Sequence, residues 1–154
     1  MLAKRQVLSV FFTFALSLTL YANKGNTLST EDNPTFFTTY WKLVYLLNEE
    51  VNSSTMSREA HIIFSPLNKG KGKFQGASGC NAMLGQYEGN EHNLTIDKQH
   101  IAMTMMACPH MKIETKFLNA LGSVHAWKIE SNNLELLDNN RSMIIRFEAI
   151  SKVK

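Results

Sequence analysis

Two cysteines, Cys80 and Cys108, five histidines and eight methionines are the side chains whose chemistry could define an activity in this chain. A thiolate beside an imidazole makes a nucleophile pair, and thiolate, thioether and imidazole together suit Cu(I). Segment 103–111, MTMMACPHM, carries Met103, Met105, Met106, Cys108, His110 and Met111. On an extended backbone Met103 and Met105 share one face and Met106 takes the other, so one ion cannot collect all three. Methionine as a flexible core filler is the plainer role. No metal ligand set is assigned, and a copper- or redox-responsive protein built on segment 103–111 stands as the alternative function. Catalytic templates fail. Gly76-Ala77-Ser78-Gly79-Cys80 misses G-x-S-x-G at its last position. There is no H-E-x-x-H, no C-x-x-C and no dinucleotide fingerprint. Lys69, Lys71 and Lys73 alternate with Gly70 and Gly72 outside any phosphate-loop pattern. The expectation is no catalytic residue and no cofactor.

These residues need a compartment and a scaffold. Lys4 and Arg5 precede an uncharged apolar run of 14 residues, 7–20, then Ala22 and polar Asn23. That order reads as a secretory signal peptide over 1–22, and the run is short of the roughly 20 residues that span a bilayer. Two of the 16 basic residues and none of the 13 acidic ones fall in it, which leaves a net charge of +1. Such a domain lacks the footprint of a nucleic-acid binder, and stable membrane insertion after signal cleavage is not expected. An even cysteine count in an exported chain favours a Cys80–Cys108 disulfide over two buried free thiols. Closing that loop would stabilise the fold by roughly 3–4 kcal/mol in the chain-entropy model.

Residues 23–38 read as a polar N-terminal linker, and a single domain follows over 39–150. Extended segments are expected at 41–47, 61–64, 73–76, 83–87, 94–96, 124–129, 134–137 and 143–147, with a further short piece at 101–105. Residues 48–60 read as loop. Gly79 and Asn81 both tolerate positive φ, so a tight turn or bulge is expected there. One helix is expected from His110 to Leu121, with Pro109 in its first turn. Met111, Phe117, Leu118 and Leu121 would lie on its apolar face and Gly122 would stop it. The fold class is α+β: one domain, about seven or eight short strands in a mainly antiparallel sheet, packed on one main helix.

An ordered set of residues then points to a family. It runs Trp41, Gly79-Cys80-Asn81, Gly85, Tyr87, Thr104-Met105-Met106-Ala107-Cys108 and Glu114, followed by Phe117 and Leu121. Together they resemble the META-domain (HslJ-like) family of bacterial heat-shock proteins. The resemblance implies a compact α+β domain with a strongly curved antiparallel sheet, export or envelope attachment, and no established enzymatic activity. It further implies a role in heat-shock, stress or antibiotic (novobiocin) tolerance. The motif residues would then be structural, and the lipid-acceptor cysteine of many members is missing. The expected protein is periplasmic or secreted and binds an unidentified protein or small ligand in the cell envelope.

Overall fold

A computed structural model describes residues 33–109 and 111–150, which lie within one compact unit. The expected signal segment 1–22 and most of the expected linker lie outside the described residues. Among the described residues, no helix is long and apolar enough to cross a membrane.

The elements are β1 (Tyr40–Leu46), β2 (Glu49–Glu50), β3 (His61–Pro66), β4 (Lys71–Ala77), β5 (Ala82–Gly89), β6 (Leu94–Ile96), β7 (Ala102–Met103), α1 (Met111–Leu121), β8 (Ala126–Glu130), β9 (Asn133–Leu137) and β10 (Met143–Ile150). Among the described residues the fold is therefore α+β, a sheet of 10 strands with one α-helix, somewhat more strands than expected because β2 and β7 hold two residues each. The sheet order is β6-β5-β4-β3-β1-β10-β9-β8, with β2 on β1 and β7 on β5, and the strand pairs are antiparallel. Strand β2 lies in the stretch expected to be loop. Its hairpin turns on Leu47 (φ 47°) and Asn48 (φ 70°), the doubly left-handed geometry that matches strand twist. Leucine gives no sequence sign of that geometry.

Alternation assigns one face of each long strand to the core. Trp41, Leu43 and Leu46 of β1, Ile62 and Phe64 of β3, and Phe74 of β4 are buried with Ile145 and Phe147 of β10. The terminal strands of the path also meet: Leu94 N–H donates to His125 O (3.1 Å) and Trp127 N–H donates to His92 O (3.2 Å). Helix α1 turns Phe117, Ala120 and Leu121 inward, and the Phe117 ring lies edge-on to Phe147 with centroids 5.9 Å apart.

Two expectations need correction. The end of the supposed linker belongs to the folded body: Phe36 is buried, stacks on Phe64 at 4.4 Å and accepts the Trp41 indole N–H on its carbonyl (3.2 Å). The Phe36 ring gains more by burial than its polar neighbours lose by following it. Met111 does not join the helix's apolar face and is exposed, whereas Glu114 is buried. The tight turn expected at 79–81 is present, and of the two residues that tolerate positive φ there only Gly79 adopts it, at φ 106°.

Candidate functional site

The turn between β4 and β5 starts with Ser78, whose N–H donates to Asn81 O (2.9 Å). Gly79 supplies the left-handed step that brings Cys80 and Asn81 around. Opposite it runs the strap 104–108 between β7 and α1. Cys80 and Cys108 are joined by a disulfide, with Cα atoms 6.0 Å apart. No free cysteine remains among the described residues, so neither sulfur offers a thiolate for a nucleophile or for copper, and His110 lies outside the described residues.

Asn81 couples turn, strap and helix. Its Nδ2 donates to Glu114 Oε1 (2.9 Å) and Met106 O (3.2 Å), while its Oδ1 accepts from Thr104 Oγ1 (2.8 Å) and Met106 N–H (2.7 Å). Thr104 Oγ1 in turn accepts from Ala82 N–H (3.1 Å). Glu114 Oε2 accepts from Asn81 N–H (3.0 Å) and from the Ser78 hydroxyl. Burial pushes the Glu114 carboxyl up, but the hydrogen bonds from Ser78 and from the Asn81 backbone and side chain outweigh it and hold the group below its ordinary range. At neutral pH the group is thus an ionised carboxylate 5% exposed, without an ion pair among the described residues and held by oriented hydrogen-bond donors. Its place in the first helical turn adds a favourable N-terminal dipole.

The remaining motif residues divide by exposure. Trp41 is fully buried. Gly85 and Tyr87 on β5 face Phe74 and Gly72 on β4, so each aromatic ring lies across a glycine of the neighbouring strand. A Cβ on Gly85 would come within 2.4 Å of the Phe74 ring. Met105 and Met106 point outward, at 94% and 51% exposure, and Ala107 is exposed beside them. Structure thus gathers Gly79, Cys80, Asn81, Thr104, Met106, Cys108 and Glu114 into one bonded cluster and leaves Trp41, Gly85 and Tyr87 as packing residues in the core.

Beside the strap, the outer face of β3, β4, β5 and β7 holds an open groove of about 520 Å³. Arg58 and His61 border it, Ile63 and Leu84 give it apolar surface, and Gln75 and Thr104 contribute polar groups. Leu84 is half exposed. A polar chain adjoins it: the Tyr40 ring stacks on His61 at 4.3 Å, Tyr40 O–H donates to Glu59 (2.9 Å), and Lys42 pairs with the same carboxylate (2.8 Å). Burial, the hydrogen bond to Glu59 and that carboxylate's charge push the Tyr40 hydroxyl up to about 12. The Lys42 ammonium, aided by Tyr40, holds Glu59 down against its partial burial. The tyrosine is thus a fixed donor, unsuited to ionise near neutral pH. Sequence reading missed Arg58, His61 and Leu84 as a group because they meet only in the folded chain: His61 and Leu84 through the pairing of β3, β4 and β5, and Arg58 through its N–H bond to Gly79 O (3.1 Å). Their one local sign is the alternation His61, Ile63 on an outward face.

A family model described as META domain matches residues 32–151. Among solved structures, an NMR structure of a protein from Burkholderia xenovorans is similar in fold. It has a TM-score of 0.57 at 22% identity, over 76% of this chain and 85% of that one. Among curated proteins, none matches.

Proposed function

The chain belongs to the META domain family, and from that premise we propose an exported, non-enzymatic binding protein that supports heat or antibiotic tolerance in the bacterial envelope. One observation carries this reading. The motif groups able to do chemistry are bonded to one another: the sulfurs are bridged, the Asn81 amide is saturated and the Glu114 carboxylate is buried among donors. Solvent meets the product of that bonding, a rigid strap bearing exposed Met105 and Met106 next to an apolar groove rimmed by Arg58. Rigid presentation of mixed apolar and cationic surface favours holding a partner over transforming one. We further infer that the sheet is strongly curved around α1, a reading supported by the hydrogen bonds linking the β6 and β8 ends and by the Phe117–Phe147 contact. Export rests on the charged, then apolar, then small-residue order of segment 1–22.

Complementation of a strain lacking the gene tests this function. Wild-type protein is expected to restore growth at raised temperature or under novobiocin, and to fractionate outside the cytoplasm. The double change Arg58→Glu, Leu84→Glu, on exposed positions, is expected to leave thermal unfolding within a few degrees and to abolish rescue. Full rescue by that variant would remove the groove from the reading. Retention of the unprocessed chain in the cytoplasm would remove export.

A further inference from the structure

At the opposite end of β4 and β5 from the groove, the mouth of the inner face carries a second cavity of about 150 Å³. Its walls are aromatic. Phe36 lies between Phe64 and Trp127, with centroids at 4.4 and 4.3 Å, and Tyr87 stands edge-on to it at 6.0 Å. The Trp127 ring is fixed by its indole N–H donating to Asn90 O (3.0 Å). Leu67, 54% exposed, and Phe37, 39% exposed, form the rim.

Size and charge together restrict what fits. A dry apolar cavity of comparable volume accepts a benzene-sized molecule. Aromatic walls favour a planar ring through offset or edge contacts. Among the described residues no acidic side chain lines the cavity, whereas Lys69 and Lys71 both do. Lys71 is paired with Glu88 (2.8 Å), but Lys69 makes no ion pair among the described residues. We propose that this cavity is a binding site for a small planar aromatic anion, its ring against Trp127 and Phe36 and its negative group at Lys69. The site is separate from the groove and does not depend on the function proposed above.

Isotope-labelled protein titrated with benzoate, and in parallel with benzylamine, tests the proposal by amide chemical shifts. Benzoate is expected to give saturable shifts at Gly70, Gly89, Asn90 and the Trp127 indole, binding about fivefold more tightly than benzylamine, the scale of one exposed charge pair. Lys69→Glu should reverse that order, and Leu67→Asn, which removes apolar rim surface without adding charge, should weaken both ligands. Both replaced side chains are exposed, so unchanged thermal unfolding is the accompanying control. Benzylamine binding as tightly as benzoate would overturn the charge assignment. No saturable shift with either probe, or shifts centred on Arg58 and His61, would overturn the site.

Discussion

Asn81 has the hydrogen-bonding capacity of any amide, two donors and two acceptor positions, and all four are occupied. A carboxamide is therefore required, not merely a polar group. Asn81→Asp would set a second carboxylate 2.9 Å from Glu114 Oε1; Glu114→Gln would aim an amide donor at donors. Glu114→Gln is expected to cost about 1.5–3 kcal/mol, the scale of hydrogen bonds to a charged group, read as a lower urea midpoint at neutral pH. The cost should depend on pH in a defined sense. The folded Glu114 pKa lies below its unfolded value, so its contribution is complete above the ordinary glutamate range, near 4.3, and fades as pH falls through the folded pKa. Urea midpoints of wild type and Glu114→Gln should thus converge on acidification. A gap that stays constant from pH 7 to pH 3 would contradict an ionised Glu114. The glutamate was visible in sequence as a family residue. Its burial was not, because a charged side chain is ordinarily exposed even where the helical period sets it on the face of Phe117, Leu118 and Leu121, unless a partner arrives from elsewhere in the chain.

Strands β4 and β5 show how an element pair can be written in short words. The sequence repeats glycine, any residue, aromatic: Gly72-Lys73-Phe74 and Gly85-Gln86-Tyr87. Paired antiparallel, each glycine faces the other strand's ring. Gly85→Ala should push the Phe74 ring from its place and destabilise by about 1–3 kcal/mol, the range for overpacking a core; thermal unfolding measures it. An unchanged melting temperature would mean that the Phe74 ring moves aside without cost. The disulfide acts on the next pair of elements, fastening the strap to the turn after β4. Replacing Cys80 and Cys108 together by serine is expected to cost about 3–4 kcal/mol by loop-closure entropy. A loss that far exceeds this figure would show that the Asn81–Glu114 network does not form without the bridge. Extended segments and the helix were legible from periodicity to within a few residues. Strand β2 was not, since Glu49 and Glu50 are exposed and alternate with nothing.

The body of the molecule begins earlier than composition suggests. Phe36 contacts Phe64, Tyr87 and Trp127, side chains from β3, β5 and β8, so it ties together strands far apart in the sheet order. Phe36→Ala is expected to cost about 3–5 kcal/mol, as for other large aromatic truncations in a core. It should also abolish benzoate binding while leaving the groove variant's phenotype unaltered. A chain starting at Thr39 should melt lower than one starting at Asp32; equal melting temperatures would return 33–38 to the status of linker. By itself, the sequence determined the α+β class, the antiparallel hairpins, the turn at Gly79 and the family. All of these follow from local pattern: period-two alternation, turn chemistry and the spacing of a few residues. Tertiary structure alone decided that Asn81 and Glu114 meet, that Phe36 is core, and that Arg58, His61 and Leu84 share a groove. Those contacts join residues up to 91 positions apart (Phe36 to Trp127), and periodicity within a segment carries no information about which distant surface will complete it.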